Sequence, residues 1–164
     1  MAKNTGKNFE NEIRKSLEKA DIWWFRIQDT NDVSRFVKKA VAEKQPADFM
    51  AVYRSRPILI ECKTSRNLSS FPLYYGGSRS IPTHQIKMAI KAQRHGALAF
   101  ILIRRDEPRN KRTWAITPEQ ADYLYKKKDG KSINWKWFHA NAFELRRLKN
   151  PVRWELIPLI EENL

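Results

Sequence analysis

Cysteine, glycine and histidine are scarce in this chain, and each scarcity excludes something. The single cysteine, Cys62, rules out an intramolecular disulfide framework and suits a reducing compartment. Five scattered glycines leave no glycine-rich loop to cradle phosphates. His84, His95 and His139 lack metal-ligand spacing with one another or with Cys62, which argues against zinc. No apolar stretch approaches the roughly 20 residues of a membrane span. The opening residues MAKNTGKNFENE lack the apolar middle of a signal peptide. The expectation is a cytoplasmic, intracellular protein with no membrane contact.

Positive charge is plentiful. Lys and Arg number 32 against 18 Asp and Glu, a net charge of +14 spread along 164 residues. Nucleic acid is the obvious polyanionic partner. Eight Phe, six Trp and five Tyr supply an ample core for one domain spanning residues 1–164.

The stretch Gln45–Lys63 organises the chain. It reads as two short strands, Ala47–Tyr53 and Pro57–Lys63, joined by the polar turn Arg54-Ser55-Arg56. A hairpin centred on residues 54 and 55 opposes Val52 to Pro57 and Met50 to Leu59. The same register sets Asp48 opposite Glu61, with Cβ atoms about 5 Å apart. Glu61 and Lys63 share a face because strand side chains alternate. Two carboxylates so close leave one protonated near neutral pH unless a cation lies between them. Mg²⁺ suits oxygen ligands of this kind, and Mn²⁺ is expected to substitute. Lys63 then stands where it can orient water or steady transition-state charge. The competing reading is an edge-strand salt bridge, since Asp129-Gly130-Lys131 fits the same acid-x-Lys spacing and reads as an exposed turn.

Before the hairpin, Gly6–Ala20 reads as a helix with Phe9, Ile13 and Leu17 on one stripe and Asn4 or Thr5 as cap. Glu10 sits at the stripe's edge, either reaching the sheet or serving as a favourable first-turn charge. Glu12 should face water. A strand at Ile22–Ile27 follows, and from Gln28 to Lys44 the apolar pattern is lost. After the hairpin come a polar loop (Thr64–Ser80), a helix from Pro82 to Arg94 ended by Gly96, and a buried strand at Ala97–Ile103. A basic turn at Arg104–Arg112 leads to a strand at Thr113–Ile116. Thr117, Pro118 and Gln120 form a capping-box start for a helix ending near Lys126. Ile133–Phe138 and Val152–Leu156 read as strands and Ile160–Leu164 as a loose tail. Cys62, facing away from Glu61 and Lys63, reads as a packed core thiol.

The order helix, strand, hairpin with Asp and Glu-x-Lys, helix, strand resembles the PD-(D/E)xK nuclease superfamily. Within it the chain is similar to RecU-type Holliday junction resolvases over roughly residues 4–125. Gly6-Lys7-Asn8-Phe9-Glu10, Asp48-Phe49, Glu61-Cys62-Lys63-Thr64, Phe71-Pro72-Leu73, His84-Gln85-Ile86, His95-Gly96 and Phe100–Ile103 follow in the family's order. The resemblance implies an α/β fold of mixed α+β character, with a restriction-endonuclease-like core and a central mixed sheet flanked by helices. It implies a homodimeric, Mg²⁺-dependent endonuclease that cuts four-way DNA junctions in recombination and repair. Asp48, Glu61 and Glu10 are then metal ligands and Lys63 a catalytic residue. Gln85 is active-site support, or else a buried structural amide. Residues 28–45 take the place of the family's protruding arm at the crossover, although shorter. Arg35, Lys38, Lys39, Lys44 and Arg66 are expected to touch DNA. Pro46-Ala47 depart from the family's threonine before the aspartate. The alternatives are a linear-duplex nuclease of the same fold and a non-catalytic binder of structured DNA.

Overall fold

The computed structural model describes residues 4–27, 44–127 and 130–164. Its centre is a six-stranded mixed sheet in the order β1-β2-β3-β7-β8-β10. The strands are β1 (Trp23–Arg26), β2 (Phe49–Tyr53), β3 (Arg56–Ser65), β7 (Leu98–Arg105), β8 (Arg112–Ile116) and β10 (Phe143–Leu145). Only β3 and β7 run parallel, joined through helix α2 (Thr83–Arg94); the remaining neighbours are antiparallel. The β2–β3 hairpin pairs Val52 with Pro57 and Met50 with Leu59, the register that alternation dictates. Arg54 and Ser55 turn it with positive φ angles of 47° and 64°.

Helix α1 (Thr5–Lys19) is capped by Asn4, whose side chain accepts from the Lys7 amide at 3.2 Å. Its stripe of Phe9, Ile13 and Leu17 is fully buried against Ile58, Ile60, Phe100 and Leu102 on one sheet face. Burial of side chains this size stabilises by about 1.5–3 kcal/mol each. The opposite face carries Leu59, Ala99, Ile101 and Ile103 beneath α2 and α3 (Pro118–Lys127). The Thr117–Gln120 capping box is present in both directions, at 2.9 and 3.2 Å. Gly96 ends α2 at φ 90°, a conformation that glycine adopts without a Cβ penalty.

Four expectations are corrected. Ile133–Phe138 is not one strand: β9 (Ser132–Asn134) gives way to helix α4 (Trp135–Asn141), where Asn134 caps the Lys136 amide and Trp135 and Phe138 bury together. The tail is ordered as α5 (Ile157–Glu162), anchored by buried Leu159 and Ile160. Arg104 does not begin a turn; it is a fully buried residue of β7. Glu12 does not face water. One oxygen accepts from Arg104 at 2.8 Å and from the Trp154 indole at 2.9 Å, because a fully buried guanidinium requires an acid. The five remaining short strands are β4 (Ser70–Pro72), β5 (Tyr74–Tyr75), β6 (Ser78–Arg79) and the β11 (Arg147–Leu148)–β12 (Arg153–Trp154) pair. Among the described residues no helix is long and apolar enough to cross a membrane.

Candidate active site

The β2–β3 register continues one step beyond its last ladder pair. Asp48 donates its amide to Ile60 O at 3.1 Å, and its Oδ2 accepts from the Cys62 amide at 2.7 Å. The carboxylate therefore takes a backbone donor of β3 just where β2 ends, which fixes its direction. Glu61 lies across from it on the α2 face, 4% exposed, with Oε1 2.6 Å from Lys63 Nζ. Its Oε2 is buried and has no hydrogen-bond partner among the described residues. Burial above all, with the Asp48 charge adding, pushes the Glu61 carboxyl up to about 7 against the opposing pull of Lys63 and Gln85. Gln85, in the first turn of α2, lines the same small cavity as Glu61 and Ala47.

Glu10 approaches from α1. Burial and the Asp48 charge raise its carboxyl, while Arg26 and Lys7 oppose the rise. Arg26 of β1 binds Glu10 directly, a partner that sequence reading missed. Its signal was faint: a lone cation in the apolar run IWWFRI. Cys62 is half-buried, packs against the α1-side core and carries a thiol raised well above its ordinary value by burial. The packed-thiol expectation fits this environment.

Asp48, Glu61, Lys63 and Gln85 thus meet at one place, and Glu10 stands within electrostatic reach. Among the described residues, however, no group of three or more His, Cys, Asp or Glu gathers closely enough to hold a metal ion. The donor set nevertheless suits a hard divalent cation. It consists of carboxylate oxygens, one of them buried without a hydrogen-bond partner among the described residues, and the Asp48 charge adds to the burial that raises Glu61. Of the expected DNA contacts, Lys44 is exposed, and Arg66 is exposed beside Asn8 and Asn11. Arg35, Lys38, Lys39 and most of the expected arm lie outside the described residues.

The chain matches the RecU family, Recombination protein U, over residues 3–162. It belongs to that family. As a RecU protein it is a Holliday-junction-resolving endonuclease of recombination. The fold is similar to Hjc of Archaeoglobus fulgidus, a Holliday junction resolvase from an archaeal hyperthermophile. The identity is 20%, the TM-score 0.52, and the match covers 85% of this chain and 95% of Hjc. No curated protein sequence matches the chain. RecU membership reaches past Lys126, into the region where sequence motifs alone gave no alignment.

Proposed function

We propose that this RecU protein cuts four-way junctions as a homodimer inside the cell, with Mg²⁺ held by Asp48 and Glu61 and approached by Glu10. The observation that carries the reading is the Asp48–Glu61–Lys63 arrangement: a carboxyl raised to about 7 beside a second acid and a lysine at 2.6 Å. A divalent ion there supplies Lewis-acid stabilisation of the phosphodiester and lowers the pKa of a bound water. Asp48 is held in place by the Cys62 amide. Lys63, in moving from Glu61 towards the scissile phosphate, offers positive charge to the transition state. Gln85 positions Glu61. Two equivalent sites in a twofold dimer suit symmetric cuts in opposite strands.

The test compares labelled four-way junction and linear duplex with Mg²⁺, Mn²⁺ or Ca²⁺. Asp48→Asn and Glu61→Gln are expected to lose cutting by more than 100-fold while retaining DNA binding, which rests on Lys and Arg. Glu10→Gln is expected to lose orders of magnitude in rate. Its control is Glu18→Gln, an exposed partner of Arg14, because Glu12 is structural. Full cutting by folded Asp48→Asn or Glu61→Gln would refute the site. Equal cutting of duplex and junction would instead favour the linear-duplex nuclease.

A further inference from the structure

Several cations of this surface are paired: Arg26 with Glu10, Arg54 with Glu161, Arg105 with Glu107, Arg112 with Glu144 and Arg146 with Glu155. One cleft gathers cations that have no such partner among the described residues. Between α2 and α3 lies a groove of about 640 Å³ lined by Arg79, Lys87, Lys91, Arg94 and Lys126. Its one acid, Asp122, is bound to Lys126 at 2.6 Å. Lys87, Lys91 and Arg94 are exposed and make no ion pair among the described residues. They recur at helical spacing on the α3-facing stripe of α2, with Ile90 as apolar floor. Arg79 is held in place, its guanidinium 4.5 Å from the centroid of the Tyr125 ring. That ring is fixed in turn, since its hydroxyl accepts from the Ile81 amide at 3.0 Å and donates to Leu73 O at 2.9 Å.

We infer that this groove binds the phosphodiester backbone of a junction strand other than the one being cut. Lys87 and Arg94 stand about 10 Å apart along the helix axis at ~1.5 Å per residue. That length spans roughly three phosphates of one strand at ~3.4 Å of axial rise each. Helix α2, about 10 Å thick with its side chains, separates the groove from Glu61, which Gln85 meets on the helix's other flank. A strand in the groove therefore lies beside the cutting site and fixes register without touching the chemistry. The inference rests on the reading of the protein as an enzyme of branched DNA.

The experiment titrates fluorescent junction and duplex at several salt concentrations with the full chain carrying K87Q, K91Q and R94Q. A control carries K19Q, K136Q and K149Q, which removes the same charge from exposed positions elsewhere. The groove variant is expected to bind at least ~10-fold more weakly, with its log–log salt slope shallower by up to about 2.7, since each lost phosphate contact removes about 0.9. Its KM for junction cleavage should rise with kcat unchanged. Exposed Lys or Arg to Gln changes leave folding stability nearly unaltered, so unchanged melting is expected in both variants. Matching affinity and slope in the groove and control variants would overturn the groove. So would a fall in kcat with KM unchanged. Wild type that binds junction and duplex alike would remove the junction reading, and the comparison on duplex would still decide the groove.

Discussion

Among the described acids, Glu61 is the one whose environment departs furthest from water. In the unfolded chain its carboxyl ionises near the ordinary 4.5; in the fold, burial lifts that to about 7. Ionisation is thus disfavoured in the folded state. The stabilising contribution is present in full below pH 4.5 and is lost as pH rises through 7. The difference corresponds to about 3.5 kcal/mol as an upper figure, at ~1.4 kcal/mol per pKa unit. In chelator, wild type should lose stability between pH 5 and pH 8, while Glu61→Gln should lose less, with Glu10 the raised carboxyl that remains. Divalent ion should restore the wild type at pH 8 by binding the ionised form. Urea unfolding at both pH values measures this; parallel pH profiles for the two proteins would show that Glu61 is not the group responsible. Glu12 teaches the converse. It lies three residues beyond Phe9 and one before Ile13, inside the arc that α1 buries, and that spacing was available in the sequence. The missing information was its partner, since Arg104 is 92 residues away.

At the scale of elements, local signals succeeded where caps were written into neighbouring residues. Thr117 and Gln120 exchange hydrogen bonds as a capping box requires. Thr117→Ala is expected to cost about 1 kcal/mol of folding stability, and Thr117→Ser to cost little. Equilibrium unfolding of the two variants checks the difference; equal losses would mean that the methyl group matters and the hydroxyl does not. Helix α4 misled because INWKWF alternates apolar and polar side chains as a strand does. In the fold, Asn134 turns the chain into a helix, and Trp135 stacks on Trp114 with ring centroids 5.4 Å apart. Burial against the second core outweighs the weak β preference of the segment.

At the scale of the whole molecule, β1 and β2 are adjacent and antiparallel, and the Ile27 amide still bonds Asp48 O at 2.9 Å. The chain between them enters and leaves at one place beside the proposed cutting site. Replacing residues 33–42 with a short Gly/Ser turn should therefore leave the sheet and thermal stability intact, because a shorter loop lowers closure entropy. Junction binding is expected to weaken much more than duplex binding, since phosphate contacts alone do not tell the two shapes apart. Competition titration of the shortened protein on both substrates measures the effect. Equal losses would reduce residues 28–45 to a further phosphate contact.

The sequence by itself determined the features that depend on near neighbours. These are the α1 stripe, the β2–β3 register that opposes Asp48 to Glu61, the shared face of Glu61 and Lys63, the capping box and the basic charge. Periods of 2.0 and 3.6 and a two-residue turn contain that information. The tertiary structure alone decided that Arg26 binds Glu10, that Arg104 buries against Glu12, and that α2 and α3 line up their cations in one groove. It also decided that Glu61 ionises near 7, because desolvation depends on what covers a side chain. The cover over Glu61 comes from Gln85, Ala89 and Ile101, residues remote in the chain and brought together only by the sheet.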